Sequence, residues 1–180
     1  MEVYYTGIGS RKDVPRKVLK QILNIGYNLA LKGFILRSGA ADGCDKQFEL
    51  GCDQGNGKKE IYLPWKNFNN HSSELYTPTA KAEEMAFKWH PNLYAQKDSV
   101  IKLMSRNSHQ VLGLSCKTPS NFLVCYCPVD DQGNWVGGTG QALRVYSGEV
   151  KKHKIFNLFF EEQYEELKKY IKAIDEGNEN

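Results

Sequence analysis

The chain has 180 residues, 41% of them apolar and 25% charged, with a net charge of +3. That is enough for a substantial core, the near-balanced charge with scattered lysines imposes no nucleic-acid groove, and no apolar run reaches the ~18 residues of a membrane span. Five cysteines, an odd number without ligand spacing, predict reduced, partly buried thiols in preference to a disulfide frame or a metal centre.

In chain order, Glu2 to Ile8 reads as a first strand that ends in Thr6-Gly7-Ile8-Gly9-Ser10-Arg11. A helix is predicted from about Pro15 to Leu31, with Val18, Ile22, Ile25 and Leu29 at helical spacing and Gly33 as its stop. Phe34 to Arg37 is a second strand, followed by Ser38-Gly39-Ala40-Ala41-Asp42-Gly43 and a helix to about Gly51. Glu60 to Leu63 is a third strand, and Trp65 to Pro78 a long polar loop. Helices follow at Thr79–Trp89 and Lys97–Leu112, separated by His90-Pro91-Asn92. A fourth strand spans Asn121 to Cys127, a glycine-rich turn opens a helix at about Gly138 to Val150, and Lys154 to Phe159 is a fifth strand. Tyr164, Leu167, Ile171 and Ile174 mark a last helix, with a polar tail after Asp175.

Strands alternating with helices predict a three-layer α/β domain, a Rossmann-like parallel sheet with helices on both faces. The whole chain, 1–180, is expected as a single domain with a loop and helix insertion at about 65–95 and a C-terminal helix at about 161–175. In such sheets ligands bind at the carboxyl ends of the strands. Three glycine-bearing turns fall on that edge, at Gly7–Arg11, Ser38–Asp45 and Gly137–Arg144.

Glycines admit an anion close to the backbone, and a helix amino end points N–H groups at it. Gly137-Gly138-Thr139-Gly140-Gln141 is therefore the leading phosphate candidate, with Gly9, Ser10 and Arg11 adding backbone, hydroxyl and guanidinium donors. Arg37, Ser38, Gly39 and Ala40 are placed on the same edge. Asp45 and Glu49, four apart on one helix, are candidates for holding ribose hydroxyls or for acid–base work on a glycosidic bond. His90 and Asn92, and Arg106 with Asn107 and Gln110, are expected at the ligand edge. Arg144 is a further candidate ligand residue, and Trp65, Phe68 and Trp135 are candidates for stacking on a base. Asp130-Asp131-Gln132-Gly133-Asn134 reads as a structural turn.

These blocks together resemble a Rossmann-like superfamily. It contains DNA-processing protein A (Smf) and the LONELY GUY or lysine-decarboxylase-like phosphoribohydrolases. Thr6 to Arg11, Leu36 to Asp45 and Gly137 to Ala142 carry the resemblance, and Ile61 to Trp65, His90-Pro91-Asn92 and Arg106-Asn107 bring it nearest to phage-encoded DNA-processing-protein-A-like proteins. It covers about Met1 to Leu158. The resemblance implies nucleotide binding, of an ADP-ribose-like or cyclic nucleotide signal, by a phage-type sensor or sequestering protein with an anti-defence role.

The alternatives it implies are a nucleotide N-glycosidase and a single-strand DNA binder. The phosphoribohydrolase motif ends in a catalytic glutamate where this chain has Arg144, so an enzyme here would rest on Asp45 or Glu49. The expected partners are a small nucleotide ligand, possible nucleic acid and a second copy of the chain in a homo-oligomer. No membrane partner, metal or cofactor is expected, and the location is expected to be cytoplasmic.

Overall fold

Parallel pairing joins β1 (Tyr4–Gly9) to β2 (Ile35–Ser38) on one side and to β4 (Phe122–Tyr126) on the other. β3 (Lys59–Ile61) extends the sheet beyond β2, and β5 (Ile155–Asn157) extends it beyond β4, which gives the order β3-β2-β1-β4-β5. This is a computed structural model, and it describes residues 2–177. The end of the polar tail, 178–180, lies outside the described residues.

The helices are α1 (Arg16–Leu31), α2 (Cys44–Gln54), α3 (Ala80–Trp89), α4 (Asp98–Leu112), α5 (Gly137–Glu149) and α6 (Glu162–Asp175). They form two layers because the two central strands β1 and β4 place apolar side chains on both faces of the sheet. In β4, Phe122, Val124 and Tyr126 pack with α1, α2 and α6. Leu123 and Cys125, with Cys127 just beyond the strand, pack with α3, α4 and α5. The alternation follows from the two-residue period of a strand. The fold is therefore a three-layer, Rossmann-like α/β sheet.

Boundaries moved where hydrogen bonds, rather than apolarity, decide them. β1 runs one residue past Ile8, so Gly9 pairs with Tyr126 and ends the ladder instead of lying in the turn. β5 is shorter than Lys154–Phe159 because Asn157 turns the chain. Its Oδ1 accepts the Phe159 amide at 3.2 Å, and its carbonyl accepts the Phe160 amide at 3.0 Å. The polar stretch after β3 is more ordered than a plain loop. Leu63 bridges to Tyr76, and a short 3-10 turn at Phe68–Asn70 buries Phe68. Among the described residues no helix is long and apolar enough to cross a membrane.

Candidate functional site

β1 and β4 are adjacent, yet the chain leaves β1 toward β2 on the opposite side. A crevice therefore opens beyond their carboxyl ends. There the structure has a cavity of about 420 Å³ lined by Gly9, Ser10, Arg11, Lys12, Asp45, Arg106, Asn107, Gln110 and Gly137 to Thr139. Its apolar end is made by Phe68, Leu103 and Met104.

Each wall has a local cause. Val136 precedes α5 in extended conformation, and no side chain caps the helix. The first N–H groups of a helix lack intrahelical acceptors. Here Gly137, Gly138 and Thr139 present that end to the cavity. A negative group is favoured there by the helix dipole. Arg11 and Lys12, in the exposed bend after β1, add cationic side chains at the rim.

The floor is a buried polar network. Asp45 Oδ1 accepts the Gly9 amide at 3.2 Å, and Oδ2 accepts Gln110 Nε2 at 3.4 Å. Burial pushes the Asp45 carboxyl up to about 6, against the opposing charge of Arg106. Arg106 is itself buried and drawn down to about 10 by that burial, with Asp45 acting the other way. Its guanidinium donates to the Gly39 carbonyl, lies 3.4 Å from the Tyr62 carbonyl, and sits 5.5 Å from the Phe68 ring centre. Arg106 Nε also donates to Asn107 Oδ1 at 3.1 Å, which orients the Asn107 amide. Asn107 Nδ2 then donates to the Gly138 carbonyl at 3.1 Å and to Gln141 Oε1 at 3.2 Å. Gln141 Nε2 is left as a buried donor with no hydrogen-bond partner in the protein.

The structure thus brings Gly9, Ser10, Arg11, Asp45, Arg106, Gly137, Gly138 and Thr139 to one cavity. Other expected residues lie elsewhere. Arg37 leaves β2 away from the cavity. It pairs with Glu60 at 2.7 Å, donates to the Thr118 carbonyl at 2.5 Å and stacks 4.1 Å from the Tyr4 ring centre. Ser38 is turned inward and donates to the Gly7 carbonyl at 2.7 Å.

Gly39 and Ala40 act through their backbone. The Gly39 carbonyl receives Arg106, and a methyl there would run into that guanidinium. The Ala40 carbonyl receives Asn69 Nδ2 at 3.0 Å. Gly140 packs on Trp135, and Gln141 lies behind the wall. His90 and Arg144 line a different cleft, beyond α5. Asn92 lies next to His90, its amide donating to His90 Nδ1 at 3.1 Å.

Glu49 does not join Asp45. It is clamped by Lys59 at 2.8 Å and His71 at 2.7 Å, and these contacts hold its carboxyl below the ordinary value against the raising effect of burial. One helix face at the sequence level has become two environments, because β3 and the 71–73 turn lie under only one end of it. Asp130 forms a turn, with its carboxylate accepting from the Gln132 and Asn134 amides at 2.9 and 2.8 Å. Lys12 was not singled out in the sequence. Its position directly after Arg11, in the bend that follows β1, is the signal that marks it.

No protein-family model and no curated protein matches the chain. Among solved structures it is similar to DNA processing protein A from Helicobacter pylori, described for its single-stranded DNA binding mode. The match has 15% identity, covers 85% of this chain and 64% of that one, and has a TM-score of 0.51. This chain therefore spans less than two thirds of that protein. It is also similar to the molybdenum cofactor carrier protein MCP from Chlamydomonas reinhardtii, at 16% identity over 86% of this chain and 76% of that one, TM-score 0.49. At 15% identity the likeness to DNA processing protein A shows the fold alone.

Proposed function

We propose that the chain binds a nucleotide-type ligand in the cavity at the β1/β4 switch point. The phosphate sits at the amino end of α5 beside Arg11 and Lys12, and the base lies toward Phe68, Leu103 and Met104. One observation carries this reading: the uncapped start of α5 opens into the same 420 Å³ space as those two cations and the buried Arg106. That volume lies within the range of ordinary ligand pockets, roughly 300–1,000 Å³. A phosphate-bearing ribonucleotide such as ADP-ribose or a cyclic nucleotide fits the mixture of anion donors at one end and apolar side chains at the other.

Holding is favoured over breaking. Asp45 is the sole carboxylate among the residues lining the cavity, and Glu49 is clamped outside it. Glycosidic cleavage by a carboxylate pair needs both groups at the bond. Arg144, in place of the hydrolase glutamate, donates to the Trp89 and Trp135 carbonyls instead. A protein that sequesters or senses a nucleotide signal, as in a phage anti-defence role, needs capture alone.

The experiment is mass spectrometry of small molecules that co-purify with the protein, followed by binding assays with ADP-ribose, AMP and oligothymidylate. Saturable binding of a nucleotide that is recovered intact supports the proposal. Released free base moves the assignment to an N-glycosidase through Asp45. Binding of oligothymidylate alone, falling steeply with salt, moves it to single-stranded DNA.

A further inference from the structure

A second cleft gathers donors and aromatic rings on the far side of α5. It measures about 610 Å³, is lined by Lys88, Trp89, His90, Trp135 and Arg144 among others, and shares no lining residue with the switch-point cavity. Arg144 is two positions beyond Ala142, which lines that cavity. A two-residue step turns about 200° around a helix, so the two side chains leave α5 on opposite sides.

The Arg144 guanidinium is partly buried. Its Nε donates to the Trp89 carbonyl at 3.3 Å and its Nη1 to the Trp135 carbonyl at 3.2 Å. These contacts use two of the five N–H donors of the group and tie the end of α3 to the turn before α5. They supply orientation but no negative charge. Among the described residues no carboxylate pairs with Arg144, and burial lowers its affinity for its proton. The nearby Glu149 is taken by Lys88 at 2.6 Å and Trp89 Nε1 at 2.7 Å.

His90 supplies a second donor. The Asn92 amide donates to His90 Nδ1 at 3.1 Å, so the proton of the neutral ring is on Nε2. His90 lines the same cleft as Arg144, and it is held below its ordinary value by burial and then by the charge of Arg144. A guanidinium without a counter-charge, an imidazole N–H and two indoles in one cleft form a recognition set for a flat anion.

We propose that this cleft is a second ligand site, for a small aromatic oxyanion, with a phosphate or carboxylate on Arg144 and His90 Nε2 and its ring against Trp89 and Trp135. It uses no residue of the switch-point cavity and stands independently of the function proposed for that cavity.

The test is NMR of the three indole N–H signals, assigned by Trp→Phe substitution, during titration with phenyl phosphate, benzoate and inorganic phosphate. The expected result is a saturable shift of the Trp89 and Trp135 signals, but not of Trp65, with phenyl phosphate or benzoate. The tighter of those two probes identifies the head group, and inorganic phosphate binds more weakly because it has no ring. His90→Ala removes a donor that plays no part in the α3 tie, and should weaken binding about five- to tenfold. Arg144→Gln should abolish binding and Arg144→Lys should restore part of it, whereas Gly138→Asp should leave it unchanged. No saturable shift with either aromatic probe, or a shift that His90→Ala leaves at full affinity, would overturn the proposal.

Discussion

Asp45 accepts the backbone N–H of Gly9 at 3.2 Å, so the first turn of α2 closes the carboxyl end of β1. This single contact joins sheet, helix and cavity, because the other carboxylate oxygen receives Gln110 of α4. Asp45→Ala removes both acceptors and the charge opposite the buried Arg106. We expect it to lower stability by about 2–4 kcal/mol in urea unfolding, with Asp45→Asn costing less. An unchanged midpoint in Asp45→Ala would show that the network does not support the fold.

The pH dependence of binding follows from the same carboxylate. Burial raises Asp45 to about 6, so the native state holds this proton more tightly than the unfolded chain. Its contribution to stability is fully present below the ordinary carboxylate range and is lost as pH rises through about 6. An anion bound near Asp45 further favours the protonated form. Affinity for ADP-ribose, whose diester phosphates do not titrate near pH 6, should therefore fall as pH rises from 5 to 7. Calorimetry on Asp45→Asn should give a flat profile, and a slope that persists in that variant would remove Asp45 as its source.

His109 acts with the opposite sign. Its Nε2 accepts the Thr79 amide at 3.1 Å and its Nδ1 lies 3.1 Å from the Gly113 carbonyl, so the neutral ring is the bonded form. Burial lowers its proton affinity, against the Gly113 contact. The unfolded chain then binds the extra proton, and this stability is present above the ordinary imidazole range and lost as pH falls below it. Thr79 caps α3, accepting the Ala82 amide, so the loss should begin at that helix. Hydrogen exchange between pH 7 and 5 should show α3 opening first, and His109→Gln should reduce the pH dependence.

Two glycine substitutions separate the wall from the floor. A Cβ at Gly39 meets the Arg106 guanidinium and the Gln110 amide, both part of the packed network. Gly39→Ala should cost about 1–3 kcal/mol and weaken nucleotide binding about tenfold or more. At Gly138 a Cβ meets Met104 Cε at 3.3 Å, the mobile end of a flexible side chain. Gly138→Ala should keep both stability and affinity, as thermal denaturation and titration would show.

Much of the fold was legible because it rests on short-range pattern. Val18, Ile22, Ile25 and Leu29 announce α1, and the glycine turns mark the strand ends on one edge. The side-chain destinations were not legible, because they depend on register and on distant segments. Arg37 is withdrawn from the edge by Glu60, its partner across the β2–β3 ladder. Glu49 is withdrawn by His71, which arrives from a loop 22 residues later. Arg106 lies in a stretch of α4 whose polar residues, Ser105 to Gln110, are all buried. Arg106, Asn107 and Gln110 were expected at the ligand edge and do line the cavity, but their spacing gives no sign that the whole polar stretch is buried.

Nucleotide binding as proposed turns on a phosphate held at the amino end of α5. A thermal-shift panel of ADP-ribose, mononucleotides and cyclic nucleotides, run in parallel on the wild type and on Gly138→Asp, tests it most directly. At saturating ligand a rise of about 5–10 °C is expected for at least one nucleotide with the wild type, and none with Gly138→Asp, whose carboxylate would occupy the proposed phosphate position. A nucleotide that shifts both proteins equally, or a wild type that responds to none, would contradict it.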